Sequence, residues 1–439
     1  MKRMKRTLVA ALVAPALAFI APGCSSDKGV TKETTVGKPP GVNDHKTPRD
    51  SSKDDPDSSR RVTPNRLQPG TDDGGEGAPE SEDPGGDDAD PSSIGASREG
   101  GVAEQGRVAG QKVTQHLFQG EKHLRNLRML TRGGQNAEAY LSPDESRLVF
   151  QSMRGELKCD QIFTMGLDGA SPKLVSTGKG ATTCAYFMPE GDRVLYASTH
   201  LGGPKCPPKP DFRKFGGYVW PIHETFDIFV TDLSSGETTA LVSSPGYDAE
   251  ATVSPKGDKI VFTSMRDGDL DIYSMDVDGS KVRRLTTTLG YDGGAFFSHD
   301  GAKIVYRAHH IEDEAEAAKY QQLLSQGVVK PSVMELYVMD ADGSNNKQVT
   351  KHGAASFAPF FHPSGEWIIF ASNLHDPKGR DFDLYKVRVD GTGLERLTFN
   401  PSFDGFPMFT SDGKRLVFAS NRSNTERGET NVFVADWVD

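Results

Sequence analysis

The chain has 439 residues, with 51 Lys plus Arg against 61 Asp plus Glu and a formal net charge of −10. A balance this acidic, with no basic stretch to make a positive face, argues against nucleic acid as a partner. Only 35% of the residues are hydrophobic, and the shortage falls almost entirely in the first quarter of the chain.

The N-terminus carries Lys2, Arg3, Lys5 and Arg6, then an uncharged stretch from Thr7 to Ile20, then Ala21-Pro22-Gly23-Cys24. The apolar run is too short to span a bilayer and small residues follow it directly, so residues 1–23 read as a signal peptide. The ending resembles a bacterial lipobox, although Ala21 stands where that family usually has Leu. The resemblance implies cleavage before Cys24 and its diacylation, giving membrane attachment through a lipid anchor. Each buried acyl methylene contributes about 0.8 kcal/mol. Ser25 after the cysteine implies the outer membrane, facing the periplasm of a bacterial cell envelope. Ordinary cleavage after Ala16 or Ala18 is the alternative, and it would leave a soluble secreted protein.

Residues 24–110 contain no aromatic residue and are rich in Asp, Gly, Pro and Ser. Such a segment cannot bury enough apolar surface to offset its ordering entropy, and it is expected to be a disordered acidic tether. A random coil of this length spans about 50 Å. Nine acids and no base lie between 71 and 90, and loss of the four leader cations takes the net charge from −10 to −14.

Beyond residue 110 one pattern recurs six times. An apolar strand leads to a Ser-Pro-x-Gly-like turn, then come a strand such as Lys259-Ile260-Val261-Phe262, a third such as Asp271-Ile272-Tyr273, an Asp-Gly, and Leu-Thr. The turns fall at Ser142-Pro143, Met188-Pro189, Ser254-Pro255, Ser298-His299, His362-Pro363 and Ser411-Asp412, with spacings of 46, 66, 44, 64 and 49 residues. Three short units and two long ones give a blade of about 45 residues with two insertions, which is a propeller period. The fold class is therefore all-β, a six-bladed β-propeller over residues 111–439. The last unit lacks its fourth strand, and Leu127-Arg128-Met129-Leu130-Thr131 is an orphan strand of the missing type. The N-terminal segment is thus expected to complete the last blade and remove the open sheet edges. A single such propeller is expected to be a monomer.

Asp271-Ile272-Tyr273-Ser274-Met275-Asp276-Val277-Asp278-Gly279 and Ser254-Pro255-Lys256-Gly257-Asp258-Lys259-Ile260-Val261-Phe262 resemble the repeats of TolB-like propellers, which are related to WD40-like repeats. The resemblance covers residues 124–439. It implies a fold more than a function, because that architecture hosts periplasmic protein-binding subunits, regulatory domains of peptidases and some metal-dependent lyases.

In a four-stranded blade the links between blades and the links from second to third strand lie on one face. One ring of link residues reads Asn136, Thr182, Asp248, Asp292, Ser356 and Asp404, and a second reads Arg154, His200, Arg266, His310, Leu374 and Arg422, with His309 and His375 adjacent. Asp248, Asp292, Asp404, Arg154, Arg266 and Arg422 are therefore candidate ligand-binding residues at the channel mouth. Aspartates about 6 to 8 Å apart would repel by roughly 2 to 3 kcal/mol per pair at an effective dielectric near 20. Such a trio calls for a cation, an arginine of the second ring, or a proton, unless loop amides satisfy each one. His200, His309, His310 and His375 are candidate ligands of a divalent metal, Ca, Mn or Zn, with imidazole favouring the last two. Histidines at such a mouth resemble those of propeller-type oligogalacturonate lyases, which hold manganese.

Both insertions belong to this face. Residues 201–226 combine Pro204, Pro207, Pro208 and Pro210 with Phe212, Phe215, Tyr218 and Trp220, a stiff apolar segment. Residues 311–331 read as a helix, with Glu312, Asp313 and Glu314 at its start, Ile311, Ala315 and Ala318 on its inner side, and Gly327 at its end. Ordered insertions of this length serve as lids or docking surfaces. With Cys24 lipidated, Cys159, Cys184 and Cys206 allow one disulfide with one thiol left over, and the spacing does not choose the pair.

No Gly-x-Ser-x-Gly elbow, His-Glu-x-x-His helix or phosphate-cradling loop is present. The first reading is a non-catalytic, envelope-anchored module that binds a protein or glycan through a lidded channel face. The alternative is a metal-dependent lyase or hydrolase acting on saccharides or peptides at the same mouth.

Overall fold

The computed structural model describes residues 116–439, residue 377 excepted. The leader, Cys24 and the whole of the expected tether lie outside the described residues. Six four-stranded antiparallel sheets follow one another along the chain. With strands lettered a to d from the channel outward, strands a are Gln135–Leu141, Thr182–Phe187, Asp248–Val253, Gly290–Phe297, Ser356–Phe361 and Asp404–Phe409. Each touches the innermost strands of both neighbouring blades, and blade 1 touches blade 6, so the ring is closed.

Closure uses the orphan strand. Leu124–Met129 pairs antiparallel with the last strand, Asn431–Trp437, in a register that sets Leu124 opposite Trp437 and Met129 opposite Phe433. Its continuation supplies what Leu-Thr supplies in other blades. The Val432 N–H donates to Thr131 Oγ1, and that hydroxyl donates to Asn431 Oδ1 at 3.0 Å. The same two bonds hold Ser176 to Ile162 and Gln161 in blade 1, Thr286 to Ile272 and Asp271 in blade 3, and Thr398 to Leu384 and Asp383 in blade 5. The motif recurs because a hydroxyl there satisfies one backbone donor and one buried side chain at once.

Strands b and c are joined by an aromatic pair in every blade: Phe150–Phe163, Tyr196–Phe229, Phe262–Tyr273, Tyr306–Tyr337, Phe370–Tyr385 and Phe418–Phe433. Directly opposed pairs of this kind contribute about 0.2 to 1 kcal/mol each. At the turn of blade 6 the register differs from the sequence expectation by one residue. The Gly413 N–H donates to Thr410 O, as Gly257 does to Ser254 O in blade 3, so Thr410 and not Ser411 is the equivalent of Ser254.

The second insertion contains a helix, Glu314–Leu324, capped by the Asp313 side chain on the Glu316 N–H. Its buried residues are Tyr320 and Leu324. Ala315 and Ala318 are exposed, contrary to the inner face expected from the sequence. The large side chains set the rotation of the helix, and Tyr320 anchors it by donating its hydroxyl to Asp269 at 2.6 Å.

Candidate functional site: the channel, its lid and a blade-5 loop

The first ring lies at the start of the innermost strands, and all six members are buried to 1% exposure or less. Each charged or amide member has a side-chain partner inside its own blade. Arg266 donates to Asp248 at 2.9 Å, Arg422 to Asp404 at 2.6 Å, Arg154 to Asn136 at 2.8 Å, and His310 lies 2.8 Å from Asp292. Where the first ring has the hydroxyls Thr182 and Ser356, the second has His200 and Leu374. The same cations lie over the blade's aromatic pair: Arg154 on Phe150 and Phe163, Arg266 on Phe262 and Tyr273, Arg422 on Phe418 and Phe433. The two rings therefore form four internal clamps, in blades 1, 3, 4 and 6, and the three aspartates are answered by arginines or a histidine rather than by one another. Arg422 goes further, donating to Glu121 at 3.0 and 3.1 Å and so tying the N-terminal segment to blade 6.

A bulge follows in each innermost strand, two residues deeper. Glu138, Cys184, Glu250, Ala358 and Phe406 all adopt positive φ there, and so does Gly294 in blade 4. Bulges re-aim side chains, and here they line a narrow mid-channel void with Arg307. A Cβ on Gly294 would collide with the Arg307 guanidinium, so glycine at this one position makes room for an arginine reaching in from strand b. Arg307 pairs with Glu250 and with the Tyr291 hydroxyl at 2.7 Å. Burial opposes its charge, but Glu250 holds its pKa above the ordinary value. The side-chain partner of Glu138 among the described residues is the Cys184 thiol, and burial pushes its carboxyl up to about 7.

The lid forms above this plug. Trp220–Pro221 of the first insertion pairs with Val328–Val329 of the second, joining blades 2 and 4 across blade 3. Trp220, Ile222 and Phe226 pack with Tyr247, Leu270, Tyr291, Tyr320 and Val329 in a core of their own. The disulfide Cys159–Cys206 fastens the insertion to blade 1, and Cys184 is the free thiol. Beside the lid is a cleft of about 400 Å³, lined by Tyr218, Trp220, Phe357, Phe382, Lys330 and Lys378 among others. The opposite mouth, ringed by the Ser-Pro-x-Gly turns, holds a cavity of about 280 Å³ with Tyr186, Phe296, Phe360 and Met408 in its wall.

The four candidate histidines bond separately. His200 contacts Ser198 and Phe229, His309 lies 3.3 Å from Glu316 of the helix, and His310 holds Asp292. His375 instead faces Asp381 and Asp383 at 3.1 and 3.3 Å. Among the described residues these last three make a group whose ligand-type atoms all lie within 4.8 Å of one another. Asp381 and Asp383 escaped the sequence reading because they open a third strand, where the repeat ordinarily keeps a structural acid or amide.

A family model for the TolB β-propeller domain matches residues 219–333. Among solved structures, the chain is similar to a TolB-type protein of Agrobacterium tumefaciens, at 19% identity, TM-score 0.47, and coverage of 71% of this chain and 94% of that one. It is also similar to TolB from Acinetobacter baumannii, at 19% identity, TM-score 0.44, covering 69% and 63%. A third is an oligogalacturonate lyase from Vibrio parahaemolyticus, at 11% identity, TM-score 0.43, covering 71% and 93%. With the matched repeat and six blades closed by an N-terminal strand, the chain is a TolB-like β-propeller.

Proposed function

We propose that this propeller is a non-catalytic binding module of the bacterial envelope, anchored through Cys24, which takes a protein or glycan partner on its lidded face. The observation that carries the reading is the lid itself. Two insertions from different blades pair with each other and are pinned into the channel by Trp220, leaving beside them a cleft walled by Tyr218, Phe357 and Phe382 with Lys330 and Lys378 at its rim. Aromatic walls with a few polar groups fit a recognition pocket, and a rigid lid lowers the ordering cost of binding. The three ring aspartates are already engaged by an arginine or a histidine of their own blades, which argues against their serving substrate chemistry.

The test is site-specific photo-crosslinking in cells from positions 378 and 332 at the cleft and from position 255 at the opposite mouth. The expected result is one crosslinked partner from the cleft positions, weakened by Tyr218→Ala. Crosslinks from position 255 alone would place the interface on the other face. Lipid attachment is tested separately, by loss of radiolabelled acyl chain and release from membranes in Cys24→Ser.

A further inference from the structure

Blade 5 breaks the clamp pattern. Its second-ring position is Leu374, and the histidine comes one residue later, so His375 approaches Tyr385 of the aromatic pair but projects to Asp381 and Asp383 instead of strand a. The corresponding carboxylates of blade 3 are engaged. Asp269 accepts from Tyr320, from the Leu270 N–H and from the Gly290 N–H, and Asp271 from Arg284 and Thr286. In blade 5, Asp383 is fully buried and is held as Asp271 is, accepting from Thr398 at Oδ1 and pairing with Arg396 at Oδ2, but His375 Nε2 and Asp381 Oδ1 are buried with no hydrogen-bond partner among the described residues. A buried imidazole nitrogen that faces two carboxylates, at 3.1 and 3.3 Å, without a hydrogen bond to either is costly in a protein interior.

We infer that His375, Asp381 and Asp383 form a binding site for a divalent cation of the zinc class. The separations of 3.1 and 3.3 Å from His375 Nε2 to the Oδ2 atoms of Asp381 and Asp383 lie at or just below the donor spacing of about 3.3 to 3.6 Å that tetrahedral bonds of 2.0 to 2.2 Å give. Calcium wants longer bonds and six to eight oxygens. His375 Nδ1 lies 3.1 Å from the Tyr385 hydroxyl, an outer contact of the kind that fixes ring orientation and presents Nε2 to a metal. Arg396 contacts Asp383 as well. Its charge cancels one of the two carboxylates and leaves one net negative charge for the ion. The loop that carries the site also supplies Asn373, Lys378 and Phe382 to the lid-side cleft, so a bound ion fixes one wall of that cleft. The inference stands on the blade-5 geometry and does not depend on which partner, if any, the cleft binds.

The experiment uses the full chain, stripped with chelator and titrated with Zn²⁺ alone by calorimetry, alongside His375→Ala, Asp381→Asn and, as control, His309→Ala. The expected result is one ion per chain, at least tenfold weaker binding in the first two variants, and unchanged binding in the control. Zinc X-ray absorption on the loaded wild-type protein, which does not depend on any variant folding, should show one imidazole with oxygen donors and no sulfur. Absence of stoichiometric uptake, retention of binding in both variants, or a shell with several imidazoles or sulfur would each overturn the assignment. So would NMR showing His375 held protonated between its two aspartates in the presence of Zn²⁺.

Discussion

Trp220 of the blade-2 insertion lies over the Arg307 guanidinium, 5.1 Å from it, and through that contact the lid and the channel plug become one unit. Arg307 is in turn paired with Glu250, both 8% exposed or less. Removing one partner of a buried pair strands the other charge, at a cost of about 3 to 5 kcal/mol. Arg307→Met should therefore destabilise the protein by that amount in chemical denaturation. Glu250→Gln added to it should recover much of the loss, because the stranded carboxylate is gone. A double variant no more stable than the single one would show that the arginine acts through packing against Trp220 and Tyr291.

The disulfide offers a second handle on the lid. Cys159 and Cys206 are 47 residues apart, and loop-closure entropy for that separation corresponds to about 4 kcal/mol. The pair Cys159→Ser with Cys206→Ser should lower stability by up to that amount. Because the bond ends in the insertion, the variant should also be cut faster by protease between residues 201 and 217, where most side chains are exposed. Equal proteolysis of the two proteins would mean that Trp220–Pro221 and its partner strand hold the insertion unaided.

The repeat was legible because a propeller writes its fold in local signals: turn, aromatic strand pair and Leu-Thr each act within a few residues of one another. The closing strand was legible for the same reason, since Thr131 makes the hydroxyl bonds that Thr286 makes in blade 3. What sequence spacing could not show is where side chains go after the backbone has turned. The bulge at Glu138 and Glu250 and the reach of Arg307 into the place of a Gly294 side chain depend on contacts between blades. The difference between Leu374 and Arg422 at equivalent positions was visible, but its consequence for His375 needed the loop geometry. The pairing of Trp220 with Val329 joins residues more than a hundred positions apart and leaves no local trace.

Closure predicts its own failure. Leu127 is fully buried in the seam with blade 6, so Leu127→Asp places a charge where neither water nor a cation answers it. The N-terminal strand should then detach and expose the backbone edge of Asn431–Trp437, which invites pairing between chains. Size-exclusion chromatography should show oligomers that the wild-type protein does not form. Arg125→Asp, at an exposed position of the same strand, should remain unchanged in the same assay.

Glu138 gives the mid-channel a pH dependence whose sign can be worked out. Burial raises its carboxyl from an ordinary 4.5 to about 7, so the folded protein holds a proton that the unfolded chain releases earlier. Below pH 4.5 both states are protonated and folding carries no penalty. As pH rises from 4.5 to 7 the unfolded state ionises first, and stability falls by up to about 1.4 kcal/mol per pH unit. Above 7 the loss levels off, on the order of 3 kcal/mol. Glu138→Gln keeps the shape and removes the titration, so its stability advantage over wild type should be near zero at pH 4 and reach its full value by pH 8. Urea midpoints for both proteins across that range measure the difference directly, and the subtraction cancels Asp383, which burial likewise raises to about 8, but not the part of the Asp160 rise that comes from Glu138 itself. A difference that stays flat with pH would mean that water reaches Glu138 through the channel and keeps it ionised.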